Sequence, residues 1–140
     1  MARVKLILPQ KISAQIKIPV RITDINYGNH LGNDSLVSIL HEARAQWLRN
    51  VDLNELDCDG SGLIMADLAI EFKAECFYGD ELNIEISIGE ISRVGFELYY
   101  KLINQHGQIT ALAKTGMLCY DYTQKVLVSI PLKLQQFLAV

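Results

Sequence analysis

The hydrophobic periods along the chain predict an α+β fold, a curved antiparallel sheet wrapped around one long central helix. Three observations carry that expectation. A single amphipathic helix follows a first strand, at least four runs of alternating apolar residues come after it, and short turn signals join those runs. Parallel strands need long crossovers, usually helical, so a meander with one helix excludes a doubly wound parallel sheet. With 140 residues the chain is expected to form one domain, 1–140, and to bury a core without staples.

The first strand is predicted where Ile16, Ile18, Val20 and Ile22 alternate with polar residues. A dense loop follows, Asp24-Ile25-Asn26-Tyr27-Gly28-Asn29-His30-Leu31-Gly32-Asn33-Asp34, and then a helix from about Ser35 to Arg49. On a helical wheel Leu36, Ile39, Leu40, Ala43 and Trp47 share one side, widened by Val37 and Leu48. That broad arc predicts burial along much of the helix. Asn33 or Asp34 is the expected cap, and Arg44, inside the arc, needs a partner or must snorkel out.

An irregular acidic connection runs from Asp52 to Gly62. Leu63 to Cys76 reads as a long strand, and Tyr78-Gly79-Asp80 as a turn. Leu82, Ile84, Ile86 and Ile88 alternate, as do Phe96, Leu98, Tyr100 and Leu102, up to a turn at Gln105-His106-Gly107-Gln108. Ile109 to Tyr120 is the next strand, a short one follows Lys125, and Pro131 is placed to start a small terminal helix. The curved sheet leaves an edge, so pairing into a homodimer or homotetramer is the expected way to cover it.

A net charge of −3 argues against non-specific nucleic-acid binding. No stretch has the length of a membrane-spanning helix, and the N-terminal apolar run is too short for a signal peptide. Cys58, Cys76 and Cys119 are an odd set without metal-like spacing, expected as free thiols in the cytoplasm. The chain has no Gly-rich phosphate loop, G-x-S-x-G elbow or H-E-x-x-H, which removes nucleotide hydrolysis, serine hydrolase and zincin chemistry.

The loop before the helix is the expected site. Titratable and amide side chains set between glycines, just ahead of a helix N-terminus, suit the binding of an anionic or carbonyl oxygen. These residues also resemble a known pattern. Arg21, Asp24, His30 and Asn33, with Leu31 for valine, are similar to R-x-x-D-x-D-x-x-G-H-V-N-N, and Glu42-Ala43-Arg44 to the E-A-R of the helix behind it. Phe72, Gly79, Asp80 and Leu82 match a second block, F-x-x-P-x-x-x-G-D-x-L. Both patterns belong to the hotdog-fold thioesterases, in the 4-hydroxybenzoyl-CoA thioesterase-like branch, which the chain resembles from about Ile16 to Pro131.

That resemblance implies a hotdog fold and hydrolysis of an acyl-CoA or acyl-carrier-protein thioester. It implies no metal or redox cofactor, coenzyme A being part of the substrate. Four positions depart from it: Asn26 stands where the usual catalytic aspartate is, Asn29 for a glycine, Gly32 for an asparagine and Glu75 for the proline. An amide is neither nucleophile nor general base, so Asn26 can position water or bond a carbonyl.

His30 is then the expected base, or an orienter for one. Glu42, at the edge of the apolar arc, is either a second base or a partner for Arg44. Asp24 is expected to shape the loop. Tyr27, Gly32, Asn33, Asp34, Met65 and Phe72 are the expected substrate-binding residues, backbone amides from Gly32 to Ser35 holding the oxygen, although Tyr27, Trp47, Met65 and Phe72 fit core packing as well. A non-catalytic thioester binder and a hydroxyacyl-thioester dehydratase remain alternatives, the second without its usual P-G-x-x-x-x-E helix start.

Overall fold

The computed structural model describes residues 1–140. In chain order it contains β1 (Ala14–Pro19), a 3-10 turn (Ile22–Asp24), α1 (Asn33–Arg49), β2 (Gly62–Phe72), β3 (Glu81–Ile91), β4 (Gly95–Ile103), β5 (Ile109–Asp121), β6 (Val126–Leu127) and α2 (Leu132–Leu138). The strands form one antiparallel sheet in the order β1-β3-β4-β5-β2, with β6 on β5. This is the curved sheet around a central helix that the periodicity predicts.

One face of the sheet carries the core. Leu82, Ile84 and Ile86 of β3, Phe96, Leu98, Tyr100 and Leu102 of β4, and Ala111, Ala113 and Met117 of β5 are all buried. They pack with Leu36, Ile39, Leu40, Ala43, Trp47 and Leu48 of α1 in a single apolar cluster. Trp47 packs with its ring centroid 4.6 Å from that of Phe137 of α2 and is a buried core residue. Gly79 and Gly107 sit at φ +88° and +78° in the two expected turns, where a side chain would be strained.

Several local expectations change. β1 stops at Pro19, and Ile22 is exposed in the 3-10 turn that follows. The pairing runs one step past the strand, with the Val20 N–H on the Asp80 carbonyl, and stops before Ile22. Gly32 is the cap of α1, with no side-chain capping bond, because Asn33 Oδ1 accepts the Asp34 N–H at 2.9 Å instead. The helix buries only one stripe: Ser38, His41, Glu42, Ala45 and Arg49 are exposed.

β2 ends at Phe72 and not Cys76. It also carries a bulge between Met65 and Asp67, which leaves Ala66 unpaired. Residues directly opposite on paired strands share a face, and Met65, Leu68, Ile70 and Phe72 oppose Met117, Thr115, Ala113 and Ala111. The bulge therefore puts Met65 and Phe72 on the same concave face, which strict alternation forbids. Asp67 pins it from outside, accepting the Gly116 N–H at 2.8 Å and bonding Lys114 at 2.9 Å.

Arg44 finds its partner in the irregular connection, not on its own helix. Its Nε donates to Glu55 at 2.6 Å and its Nη1 to the Tyr100 hydroxyl at 3.2 Å, which in turn lies 2.7 Å from Thr115 Oγ1. Burial alone would weaken this cation, but Tyr100 and Glu55 outweigh burial and hold its pKa above the ordinary arginine value.

Candidate active site

The loop between β1 and α1 is held by its own backbone and by one acidic side chain. Asp24, buried, accepts the Arg21 N–H at 2.8 Å and closes the 3-10 turn, while its carbonyl accepts the Gly32 N–H at 3.0 Å. Its carboxylate is spent on shaping the loop, bonding three residues back rather than two residues on. Asn29 takes φ +64°, so the asparagine that stands in place of a glycine keeps the left-handed conformation, which Asn tolerates. A Cβ on Gly32 would fall 2.6 Å from Asp34 Oδ1, so a larger residue there would push the exposed Asp34 side chain aside.

Asn26 makes an Asx turn, its Oδ1 accepting the Gly28 N–H at 2.8 Å. One lone pair of the oxygen is used in this way, and the NH₂ group has no protein partner. His30 Nδ1 lies 3.2 Å from the Leu31 carbonyl. A carbonyl can only accept, so this contact puts the proton on Nδ1 and leaves the lone pair on Nε2. Asn26 Oδ1 and His30 Nε2 both lie 3.2 Å from where a Cβ on Gly28 would sit.

A second loop completes the site. After β2 the chain runs through Lys73, Ala74, Glu75 and Cys76, with the Lys73 and Ala74 N–H groups both on the Thr110 carbonyl. The Leu31 N–H donates to the Cys76 carbonyl at 2.8 Å and ties this segment to the first loop. Beside that tie, Glu75 Oε1 stands 4.0 Å from His30 Nε2.

Between the loops lies an open hollow of about 820 Å³, lined on one side by Asn26, Tyr27, His30, Gly32, Asn33 and Asp34, and on the other by Phe72, Glu75, Cys76 and Thr110. Leu36 and Ala111 add to its apolar lining. The start of α1 forms one wall. Of its first amides, Asp34 is bonded to Asn33 Oδ1, whereas those of Asn33 and Ser35 have no protein acceptor. Such amides, at the positive end of a helix dipole, suit an oxygen that gains negative charge. Cys76 is buried in the wall, and burial raises its pKa, which leaves it a poor nucleophile.

Seven residues expected at the site from sequence thus meet here: Asn26, Tyr27, His30, Gly32, Asn33, Asp34 and Phe72. Two do not. Glu42 is exposed on the outer side of α1, its carboxylate bonded to Gln46 Nε2 at 2.9 Å, so it neither reaches His30 nor pairs with Arg44. Met65 lies in a separate small hollow with Val37, His41, Leu68 and Thr115. Sequence reasoning missed Glu75. Its departure from a proline was visible, but not its return alongside His30.

Known proteins share this fold and family. The profile of the thioesterase-like superfamily matches residues 20–138. A 1,4-dihydroxy-2-naphthoyl-CoA hydrolase from Thermosynechococcus vestitus is 31% identical over 101 residues, 69% of this chain and 68% of that protein. Two solved structures show the same fold. A 1,4-dihydroxy-2-naphthoyl-CoA thioesterase from Synechocystis superposes with a TM-score of 0.82 at 20% identity, covering 89% of this chain and 94% of its own. One from Staphylococcus aureus gives 0.76 at 15% identity, covering 83% and 79%. With most of its length matched by that profile and its fold repeated in these relatives, the chain belongs to the thioesterase-like superfamily of hotdog proteins.

Proposed function

We propose that this protein is a thioester hydrolase that cleaves acyl-CoA with water in the hollow between the two loops. The observation that carries it is the meeting, in one hollow, of the amide-bearing start of α1 with an imidazole whose Nε2 is free. The thioester oxygen is held by the first-turn amides and by the Asn26 NH₂, and His30 Nε2 takes the proton of the attacking water. Tyr27 and Phe72, both exposed at the rim, flank the acyl group. The relatives' names support coenzyme A over a carrier protein as the thiol, and aromatic acyl groups belong among the candidates.

Coenzyme A enters as part of the substrate, with no metal or redox cofactor in the reaction. The working form is a homo-oligomer: β2 is an edge strand whose Met65 and Leu68 are exposed, and a second copy laid along it covers both. A monomeric mass by light scattering overturns that part. The cytoplasm is the proposed location, in keeping with three unpaired cysteines. No helix is long and apolar enough to cross a membrane.

The test is release of free thiol from short-chain, long-chain and aromatic acyl-CoAs, repeated with His30→Ala. Turnover that falls at least ~10²-fold in that variant is expected for a general base. Binding without thiol release across the panel overturns hydrolysis. Water loss from a 3-hydroxyacyl-CoA would point to a dehydratase instead.

A further inference from the structure

We propose that Glu75 supplies the carboxylate missing at position 26, and that Glu75 and His30 together hold the attacking water. This rests on the thioesterase reading and assigns it a catalytic group from the β2–β3 connection.

Elimination comes first. Asn26 is an amide, which is no general base, and its oxygen already accepts the Gly28 N–H. Asp24 is buried on Arg21, and Glu42 is exposed and bonded to Gln46. Asp80 accepts the Phe77 N–H and the Gln105 amide. Asp34 lines the hollow but folds back over Gly32, against the helix start where the acyl oxygen has to sit. Glu75 is left: it lines the other side of the hollow, and the titratable side chain that faces it there is His30.

The geometry supplies the positive case. With the His30 proton on Nδ1, Nε2 presents a lone pair toward a carboxylate oxygen 4.0 Å away. No hydrogen lies between these two acceptors, so they do not bond each other. A water that donates one hydrogen to each, at about 2.8 Å, would subtend roughly 90° at its oxygen, near its own bond angle. Both hydrogens are then engaged and an oxygen lone pair faces the hollow. The neighbouring residues fix the spacing, since the Leu31 N–H and the Cys76 carbonyl are joined at 2.8 Å.

In the step itself, the water oxygen forms a bond to the thioester carbon while its proton passes to Nε2 and the carbonyl electrons move to oxygen. Collapse of that adduct breaks the carbon–sulfur bond, and the thiolate takes the proton back from Nε2. Glu75 stays ionised throughout, holds the second hydrogen and stabilises the transient imidazolium. The products are a carboxylic acid and a free thiol.

Glu75→Gln and Glu75→Ala test it, and the 64% exposure of the side chain leaves folding out of the question. The expected result is a fall in kcat of roughly 10²-fold with KM unchanged, because Glu75 touches the water and not the acyl-CoA. Formate, a small carboxylate, should restore part of the rate of Glu75→Ala, and neutral formamide should not. A Glu75→Gln enzyme within twofold of wild type overturns the proposal, as does rescue by formamide as good as by formate. A wild-type protein inert toward every thioester refutes the hydrolase reading instead, so the two failures are distinguishable.

Discussion

Replacing Gly28 by alanine perturbs the site while sparing the fold. Gly28 is not among the residues with positive φ, so alanine meets no backbone strain there, and the reduced freedom of the unfolded chain favours folding by about 0.4–1 kcal/mol, against which the new contacts count. The new methyl, however, lands 3.2 Å from both Asn26 Oδ1 and His30 Nε2, closer than a comfortable van der Waals contact. Neither neighbour yields without cost. Asn26 is held by the Gly28 N–H at 2.8 Å and His30 by the Leu31 carbonyl at 3.2 Å. A shift of several tenths of an ångström at these atoms, with a methyl crowding His30 Nε2, should cost about 10²-fold in kcat/KM. Steady-state thiol release and thermal unfolding on the same preparations check both halves. An alanine variant with unchanged Tm and activity within about threefold of wild type would refute the dependence of turnover on the positions of Asn26 and His30.

Asn26→Asp keeps an acceptor for the Gly28 N–H but removes the NH₂ donors and places negative charge beside the acyl oxygen. Turnover should fall by about 10²-fold, the usual loss for one oxyanion donor, and a rise would identify Asn26 as a lost acid instead. Glu55→Ala leaves the buried Arg44 with only the Tyr100 hydroxyl; because 22% of the Glu55 side chain is exposed, the cost should be about 2–3 kcal/mol, below that of a fully buried pair. A urea midpoint that moves by less than ~0.5 kcal/mol equivalent contradicts this. Burial pushes the Cys58 thiol up to about 12, with Cys119 and the nearby acids Glu55, Asp57 and Asp59 adding to it. The unfolded thiol ionises near pH 9 and the folded one does not, so stability held below pH 9 is lost as pH rises toward 12, by up to ~1.4 kcal/mol per unit. Urea denaturation at pH 8 and 10.5 reads this slope, and an equal slope in Cys58→Ala would assign it elsewhere.

The strands of the meander and the buried face of α1 were legible because each is a local period: Leu82 to Ile86, Phe96 to Leu102 and Leu36 to Leu48 announce their own burial. The first loop was legible for a similar reason, since Asn26 to Asp34 is contiguous and the fold only has to close it. What failed depends on long-range placement. Met65 lies in a hollow of its own, on a strand whose bulge alternation cannot reveal. Glu42 lies one step beyond the buried stripe, and Arg44 is satisfied by Glu55 from a segment with no period at all. Glu75 escaped because its meaning lies across the hollow, beside His30, and not in its own neighbours along the chain.

The main-chain bond from Leu31 to Cys76 turns two stretches far apart in sequence into one mechanical part. On the proposed reading, a bulky acyl group would enter along the rim past Tyr27 and Phe72, and discrimination between substrates would fall to the width of that slot.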